Sequence, residues 1–311
     1  MKKRYALGID IGGTNIRFGI VSNDFELICD ERRSSQELLG KKGVEGLIEG
    51  TRDFLSRNAR DIVVEGIGVD VPGPVSSDHN FVYSVPKLKG LQNVALGSAL
   101  SEAVGIPVYV GHDVDFLMNY DIKKMNLDPN HEKTILGFYL GTGLGNGLYI
   151  NGRLHAGKHG VTGELGHAPL YGVTDVCDCG LEGCTEIRTS GKALAILAEQ
   201  LFPDTYIGDI FTKHGDHPRI IQFVKEAALP MASEISILDP DYVILGGGVI
   251  NMADFPIKML EDEITRRTRH PLPAEDLHFL HATDGQNTGV IGGCIIVFDW
   301  LDELRKKQTL A

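Results

Sequence analysis

The sequence predicts an α/β fold of two lobes, and three observations support this prediction. Apolar segments with strand-type and helix-type spacing alternate along the chain. A strand that breaks into a Gly/Thr turn, followed by a second apolar strand, occurs at residues 7–14 and again at 136–143. Such a repeat predicts a duplicated unit. The chain has 311 residues, which is enough for two halves of roughly 150 residues each.

The elements of the first half follow from the spacing of its apolar residues. Three short apolar runs predict a meander, and two later runs predict further strands, the second of which ends just before Asp113. Helical spacing predicts helices over residues 36–57 and 94–104. The predicted strands cover residues 5–11, 16–21, 25–29, 62–71 and 107–110.

The second half repeats this alternation. Residues 217–238 have helical spacing and end at Asp239 and Pro240, and residues 242–245 form a buried strand that runs into three glycines. We place the lobe boundary near Asp113. Residues 1–113 then form a small N-terminal lobe, and residues 114–289 form a large lobe with a cysteine-rich loop. We expect a C-terminal helix, at about 290–311, to pack back on the N-terminal lobe.

The overall charge limits the classes of partner. The formal net charge of −12 would repel nucleic acid and anionic membrane surfaces, so we expect neither as a partner. The apolar run after the basic N-terminus is interrupted by Asp10 and is too short for a signal peptide. No apolar run is long enough for a transmembrane helix. We therefore expect a cytoplasmic protein.

Three glycine turns, each after a predicted strand, are candidates for nucleotide binding. Glycines let backbone N–H groups approach a phosphate, and Thr or Asn side chains add hydrogen bonds. An ordinary hairpin turn is the alternative for the first of them. None has the Walker sequence or Rossmann spacing, but the three together favour a nucleotide held in a cleft between two lobes. The candidate residues are Asp10, Gly12, Gly13, Thr14, Asn15, Gly141, Thr142, Gly143, Gly246, Gly247 and Gly248.

A cluster of cysteines predicts a metal site. Cys177, Cys179 and Cys184 lie within eight residues, and His167 precedes them. Three thiolates and one imidazole suit a closed tetrahedral zinc site that orders a loop with little core of its own. A disulfide would require an oxidising compartment and would leave an odd thiol. A catalytic thiol pair is a further alternative.

Three carboxylates are candidates for catalysis or substrate binding. Asp113 follows a short strand, where it is placed to accept a proton from a substrate hydroxyl, as phosphoryl transfer to an alcohol requires. A helix N-cap is the alternative role for this residue. Glu164 and Glu186 flank the cysteine cluster, and carboxylates there are suited to accept hydrogen bonds from sugar hydroxyls. The alternative for each glutamate is a solvated surface position.

These residues together resemble the ROK family (repressor, open reading frame, kinase), in the family's order and over nearly the whole chain. The block of Glu, His and three Cys residues is highly specific, whereas each glycine turn alone is not. The matching motifs are Asp10-x-Gly-Gly-Thr14, Asp113 after a strand, Gly141-Thr-Gly143, Glu164-x-Gly-His167, Cys177-x-Cys179-Gly-x3-Cys184-x-Glu186 and Gly246-Gly-Gly248.

The resemblance implies an actin-like ATPase fold of the hexokinase and ribonuclease H-like type, with ATP and sugar in a cleft between two α/β lobes. It implies Mg-ATP, a structural zinc ion bound by the cluster, and a homodimer or homotetramer. By family pattern Asp113 is the catalytic base, and the sugar is bound by His112, Asp113, Glu164, His167 and Glu186. The implied reaction is ATP-dependent phosphorylation of a hexose at its 6-hydroxyl.

Two features bear on which hexose is used. Residues 239–249, 252–256 and 269–273 are similar to those of D-allose kinases, so we expect D-allose, with glucose, N-acetylmannosamine and fructose as alternatives. Family kinases usually have Asn before the base and Asn two residues after it, where this chain has His112 and Asp115. We expect His112 to alter the epimer that is accepted.

Other classes of function remain open. Family repressors carry a DNA-binding domain before the kinase-like part, and here the first phosphate strand begins at Tyr5, which disfavours a regulator. A non-catalytic sugar-binding protein predicts sugar affinity without product. A metal-dependent hydrolase or isomerase predicts turnover without nucleotide.

Overall fold

The computed structural model describes residues 3–85, 88–282 and 285–310. The strands are β1 Tyr5–Ile11, β2 Asn15–Ser22, β3 Leu27–Ser34, β4 Val64–Val71, β5 Val108–His112, β6 Ile135–Leu140, β7 Leu144–Ile150, β8 Arg153–Leu154, β9 Tyr242–Gly246 and β10 Phe279–His281. The α-helices are α1 Ser35–Leu38, α2 Val44–Asn58, α3 Leu96–Val104, α4 Asp113–Met125, α5 Glu186–Thr189, α6 Gly191–Leu201, α7 Ile210–His214, α8 Pro218–Leu238, α9 Ile257–Arg267 and α10 Thr288–Leu310.

The chain divides into two compact units. The first contains the described residues up to Asn126, residues 156–161 and the described residues from Gly285 onward. The second contains residues 127–155 and 162–282. The first unit thus includes all of α4 and does not end at Asp113, because α4 packs closely against α10. Residues 1 and 311, at the ends of the lobes expected from the sequence, lie outside the described residues.

The sheet of the first unit has the strand order β3-β2-β1-β4-β5. β1, β2 and β3 form an antiparallel meander, and β4 and β5 are parallel to β1 and to each other. The parallel strands therefore end at one edge of the sheet. Asp10 and Asp70 are paired across β1 and β4, and Asp113 follows the end of β5. This topology brings three acidic residues to the same edge.

The sheet of the second unit has the same strand order. β6, β7 and β8 form the antiparallel meander, and β9 and β10 are the two parallel strands beside β6. The duplication predicted from the repeated turn motif is thereby confirmed. Because Tyr139 of β6 pairs with Gly246 of β9, the turns that follow these two strands lie at one sheet edge.

Each unit has its own apolar core. In the first unit Phe18 and Phe54 stack with ring centroids 5.5 Å apart, where α2 packs on the sheet. α10 covers the other face, where its residue Val290 packs with Ala6 and Val21. In the second unit the core lies between the sheet and α8, which is buried along the face that contains Val224.

Two predicted elements differ from the structure. The helix predicted over residues 36–57 is interrupted between α1 and α2, where Gly43 has a φ of +55° and approaches the backbone of Gly90. β3 extends to Ser34, beyond the predicted residue 29, because this edge strand carries charged side chains and so lacks the apolar run of a buried strand. Among the helices in the described part of the chain, none has the length and apolar character needed to span a membrane.

Candidate active site and metal centre

The first group of candidate residues lies at the carboxyl edge of the first sheet. Register places Arg17, Asp10, Asp70 and Gly111 in one row across four adjacent strands. Arg17 Nη1 lies 3.2 Å from Asp10 Oδ2. Asp70 is 1% exposed, and its Oδ1 accepts a hydrogen bond of 3.0 Å from the backbone N–H of Ile11. The row therefore places two carboxylates side by side.

The two carboxyl groups of this row favour protonation. Burial raises the pKa of Asp70 well above its ordinary range, and the charges of Asp10 and Asp113 raise it further. Burial also raises the pKa of Asp10, while its ion pair with Arg17 opposes this change. Two carboxylates in contact in a buried position cannot both be ionised without a large electrostatic cost. The arrangement therefore favours one shared proton over two ionised carboxylates.

Asp113 is the most accessible of the three carboxylates. It is the first residue of α4, and its side chain is 40% exposed. Its Oδ1 accepts a hydrogen bond of 2.8 Å from the backbone N–H of Val114 and lies 3.4 Å from His112 Nε2. The N-cap position itself is occupied by His112, which makes no capping hydrogen bond with its side chain. Asp113 is thus placed to accept a proton from a bound hydroxyl.

Asp115 differs from Asp113 in its surroundings. Burial raises the pKa of Asp115 to about 6, the charge of Asp113 adds to the rise, and His112 opposes it. Among the neighbouring groups, His112 is therefore placed to influence both carboxylates of the first turn of α4.

The first glycine turn connects β1 to β2. The backbone N–H of Gly12 donates to the carbonyl of Asn15 over 2.9 Å, and Ser35 Oγ donates to the carbonyl of Gly12 over 2.7 Å. Gly13 and Thr14 are exposed at the tip. The turn is therefore a hairpin, as the alternative interpretation holds, but its tip is open to a ligand and it follows Asp10 directly.

The two glycine turns of the second unit lie together. Gly247, with a φ of +97°, packs so closely on Leu140 that a Cβ atom would lie 2.6 Å from that residue's backbone. The carbonyl of Gly141 accepts a hydrogen bond of 2.8 Å from the N–H of Gly191, the first residue of α6. Gly248 has no atom within 4 Å of its missing Cβ. The N–H of Lys192 likewise donates to the carbonyl of Thr142 over 3.1 Å, so the start of α6 fixes the backbone of the turn from Gly141 to Gly143.

Glu186 connects the glycine turn with the metal loop. Its Oε2 accepts a hydrogen bond of 3.0 Å from the N–H of Leu144. The same oxygen would lie 2.5 Å from a Cβ atom at Gly143 and 3.0 Å from one at Gly166. Glu186 is half-buried, so it is not the solvated surface residue of the alternative interpretation. Glu164 is 38% exposed, and its Oε2 lies 3.7 Å from His167 Nε2.

The four predicted metal ligands form one cluster. The ligand atoms of His167, Cys177, Cys179 and Cys184 all lie within 4.8 Å of one another. His167 Nδ1 is 3.7 Å from Cys177 Sγ, and Cys179 Sγ is 3.6 Å from Cys184 Sγ. Ligands bound 2.3 Å from a tetrahedral zinc ion are about 3.8 Å apart, so the donor set fits that metal. All three cysteines are free thiols, and the geometry does not support a disulfide.

The predicted residues thus fall into two groups, one in each unit. The first unit holds Asp10, Gly12 to Asn15, His112 and Asp113, and the second holds the remaining glycine turns, Glu164, Glu186 and the metal cluster. The sequence prediction missed Arg17 and Asp70. The available signal for Asp70 was a carboxylate within a buried apolar strand that ends in Pro-Gly-Pro.

Comparisons with known proteins identify related sugar kinases. The chain matches the sequence model of the ROK family over residues 6–299. It is 26% identical to a glucokinase from Halalkalibacterium halodurans over 94% of both chains. It is 27% identical to an N-acetyl-D-glucosamine kinase from Vibrio cholerae, over 93% of this chain and 98% of that protein.

A solved structure gives the same result for the fold. A ROK hexokinase from Thermus thermophilus superimposes with a TM-score of 0.78 at 26% identity, and the match covers 97% of this chain and 100% of the hexokinase. The two five-stranded sheets and this similarity confirm the predicted actin-like, hexokinase-type ATPase fold.

Proposed function

The chain belongs to the ROK family and is an ATP-dependent sugar kinase, and we propose that it phosphorylates a hexose at the 6-hydroxyl, with D-allose as the preferred sugar. The observation that carries the catalytic part is the accessible carboxylate of Asp113, at the sheet edge that also holds Asp10. The preference for D-allose is supported by the similarity of residues 239–249 to D-allose kinases and by His112 beside the base.

In the proposed reaction Asp113 acts as the general base. Its carboxylate accepts the proton of the 6-hydroxyl as the sugar oxygen attacks the γ-phosphorus of ATP. The bond from that phosphorus to the bridging oxygen of the β-phosphate breaks. ADP leaves with the bond's electron pair, and the sugar 6-phosphate is formed.

The glycine turns are our candidates for binding the nucleotide. In the first unit, Asp10 and the turn from Gly12 to Asn15 act at the phosphates, with backbone N–H groups as donors. In the second unit, the turn from Gly141 to Gly143 binds phosphate, and the turn from Gly246 to Gly248 leaves room for the adenosine. Kinase activity implies Mg-ATP, and magnesium, when bound with the nucleotide, offsets the negative charge of its phosphates.

The sugar is bound by side chains that accept or donate hydrogen bonds to hydroxyls. By family resemblance these are His112, Asp113, Glu164, His167 and Glu186. The position of His112 Nε2, 3.4 Å from Asp113 Oδ1, supports its assignment as the residue that selects the sugar epimer. An imidazole in place of the family's usual amide presents a different donor to the hydroxyls.

We assign the metal cluster to a structural zinc ion held by His167 Nδ1 and the sulfurs of Cys177, Cys179 and Cys184. When bound, zinc orders the loop and takes no part in proton or phosphoryl transfer. Because Nδ1 faces the thiols and Nε2 faces Glu164, one imidazole is suited to bind both zinc and substrate. By family resemblance the protein is also a homodimer or homotetramer, which light scattering would test.

Glucose or N-acetyl-D-glucosamine is the second candidate substrate. The relatives from Halalkalibacterium halodurans and Vibrio cholerae are kinases of these two sugars. They match the chain over more than nine-tenths of its length, whereas the residues that are similar to D-allose kinases lie in three short segments.

A coupled ADP-release assay with Mg-ATP tests the proposal. The sugars are allose, glucose, mannose, fructose, N-acetylglucosamine and N-acetylmannosamine, compared by kcat/KM. The highest value for allose is the expected result. A higher value for glucose or N-acetylglucosamine would support the assignment as a kinase but would overturn the assignment of D-allose as the preferred sugar. Sugar binding without ADP release from any of them would overturn the proposal and favour a regulator, and sugar turnover without ATP would indicate a hydrolase or isomerase.

A further inference from the structure

A buried carboxylate that sequence analysis did not predict lies beside the proposed phosphate-binding residues. Asp70 is in the middle of the buried strand segment Val69–Asp70–Val71 and is 1% exposed. Burying an ionised carboxylate among apolar residues is costly unless its charge is compensated or neutralised. Burial is the main cause that raises the pKa of Asp70, the charges of Asp10 and Asp113 add to the rise, and the hydrogen bond from the backbone of Ile11 opposes it.

The interactions of Asp70 involve Asp10 and the residue that follows it. Its Oδ1 accepts a hydrogen bond from the N–H of Ile11, the residue after Asp10. Asp70 and Asp10 are register partners on adjacent strands, and both carboxyl groups lie on the face that Gly289 approaches. Arg17 holds Asp10 from the other side at 3.2 Å. The Asp10 carboxylate is therefore positioned from both directions along the row of strands.

Packing against α10 gives independent support for this arrangement. A Cβ atom at Gly289 would lie 2.7 Å from Asp70 Oδ2 and 3.3 Å from Asp10 Cγ. The first turn of α10 thus approaches both carboxyl groups through a residue that has no side chain. Glycine at this position leaves space for the pair, and the helix backbone closes off that side.

We propose that Asp70 is a positioning residue that, in its protonated form, donates a hydrogen bond to the carboxylate of Asp10 and holds it in the orientation needed at the phosphates of ATP. A buried carboxylic acid that stays neutral is a suitable donor to a neighbouring carboxylate. The inference rests on the proposed function, because Asp10 is assigned there to the phosphates.

Two substitutions separate a positioning role from a merely structural one. Asp70→Asn keeps the shape, and its amide can accept from Ile11 N–H and donate to Asp10. Asp70→Ala removes both interactions. Val69→Ala is the matched control, because Val69 is a buried residue of the same strand that belongs to the apolar core on the opposite face. All three are assayed with wild type for kcat, the KM for Mg-ATP, sugar affinity and thermal unfolding.

We expect Asp70→Ala to lower kcat/KM for Mg-ATP by about 30-fold or more while sugar affinity stays within about 3-fold of wild type. Asp70→Asn should recover most of this loss. Val69→Ala should unfold at a lower temperature without a change in the kcat of the folded enzyme.

Two outcomes would overturn the inference. A folded Asp70→Ala enzyme with wild-type kcat/KM would show that Asp70 does not position Asp10. An Asp70→Asn enzyme as impaired as Asp70→Ala would show that the ionised carboxylate is required, and not a hydrogen-bond donor. The wild-type assay separates this result from a failure of the proposed function, because an inactive wild type overturns the kinase assignment itself.

Discussion

The surroundings of individual carboxyl groups determine which of them are available for chemistry. Asp113 is 40% exposed and has one backbone donor, whereas Asp70 is enclosed by two strands and the start of α10. Although both residues are aspartates, their different surroundings suit them to different roles. The exposed group can meet a substrate hydroxyl, and the enclosed group can act only through its neighbours.

Replacing Asp113 by Asn should remove the general base while keeping the shape of the site. We expect kcat to fall by about 1,000-fold or more, because a positioned base contributes roughly 100- to 10,000-fold. Sugar affinity, measured by calorimetry without nucleotide, should stay within about 3-fold. Asp299→Asn, an exposed carboxylate of α10 that pairs with Lys123, is the control and should retain wild-type kcat. A fully active Asp113→Asn enzyme would exclude Asp113 as the base.

The side chain of Glu234 should make the stability of the protein depend on pH. Burial raises the pKa of Glu234 from its ordinary value of 4.5 to about 7, and a hydrogen bond from Asn146 Nδ2, 2.8 Å long, opposes the rise. The folded chain therefore binds this proton more tightly than the unfolded chain. The associated stability is present below pH 4.5 and is lost as the pH rises through about 7.

Replacing Glu234 by Gln should remove this dependence, because the amide keeps an acceptor for Asn146 and does not ionise. At pH 8 the variant should be more stable than wild type by about 2 kcal/mol, and the difference should shrink towards pH 5. Urea unfolding of both proteins at each pH measures this difference. A constant difference between the two pH values would contradict the assignment.

At the scale of elements, glycines let α10 approach its neighbours. A Cβ atom at Gly292 would overlap the backbone oxygen of Phe116 in α4, and one at Gly68 would lie 2.7 Å from the backbone oxygen of Gly293. A flexible side chain can move away from an added methyl group, whereas these backbone atoms are fixed by the secondary structure. The close contact of α10 with α4 and with the first sheet therefore depends on residues without side chains.

Gly292→Ala should push α10 away from α4. We expect the free energy of unfolding to fall by about 3 kcal/mol, which is at the upper end for inserting a methyl group into a packed core. Lys306→Ala, on an exposed part of the same helix, is the control and should change stability by less than about 0.5 kcal/mol. Denaturant unfolding measures both, and a fully stable Gly292→Ala protein would contradict the packing argument.

The zinc content and the thermal stability of the protein should depend on the ligands in the metal loop. Cys179→Ser replaces a thiolate by a much weaker ligand, so bound zinc should fall well below one equivalent per chain and thermal unfolding should begin at a lower temperature. Elemental analysis and calorimetry measure the two effects. Cys29→Ser, a free thiol outside the cluster, should leave the zinc content unchanged. Equal zinc in the two variants would exclude the proposed site.

At the scale of the whole molecule, the first unit is built from distant parts of the chain. α10 supplies Val290, Val297 and Leu301 to a core that also contains Ala6 and Val21. The first five strands therefore lack the cover of one face until the last helix is present. The chain must be nearly complete before this unit can bury the face of the sheet that α10 covers.

A chain that ends after Ala282 should lose this cover and become insoluble, because each buried aliphatic side chain contributes about 1.5–3 kcal/mol. A chain that ends after Lys306 loses mainly exposed residues and should remain soluble. The soluble fraction and circular dichroism of the two products measure the effect. A soluble, cooperatively folded product from the shorter chain would contradict this account of the first unit.

The sequence by itself determined the types of element, the fold and the residues of the Cys/His cluster. Apolar periodicity predicted the strands Tyr5–Ile11 and Val64–Val71 and the helix Pro218–Leu238 to within two residues, because local spacing reflects which faces are buried. The cysteine spacing predicted a cluster that the structure confirms, since its ligands lie on one short loop. The family motifs predicted the fold.

Only the tertiary structure decided which residues meet across the first sheet. Asp10, Asp70 and Gly289 come from three distant segments, and their contact depends on strand register and on the path of α10. A single sequence carries no local pattern for such a contact. The break between α1 and α2 was likewise decided by the close approach of Gly43 to Gly90, because packing between distant backbones outweighs helical spacing.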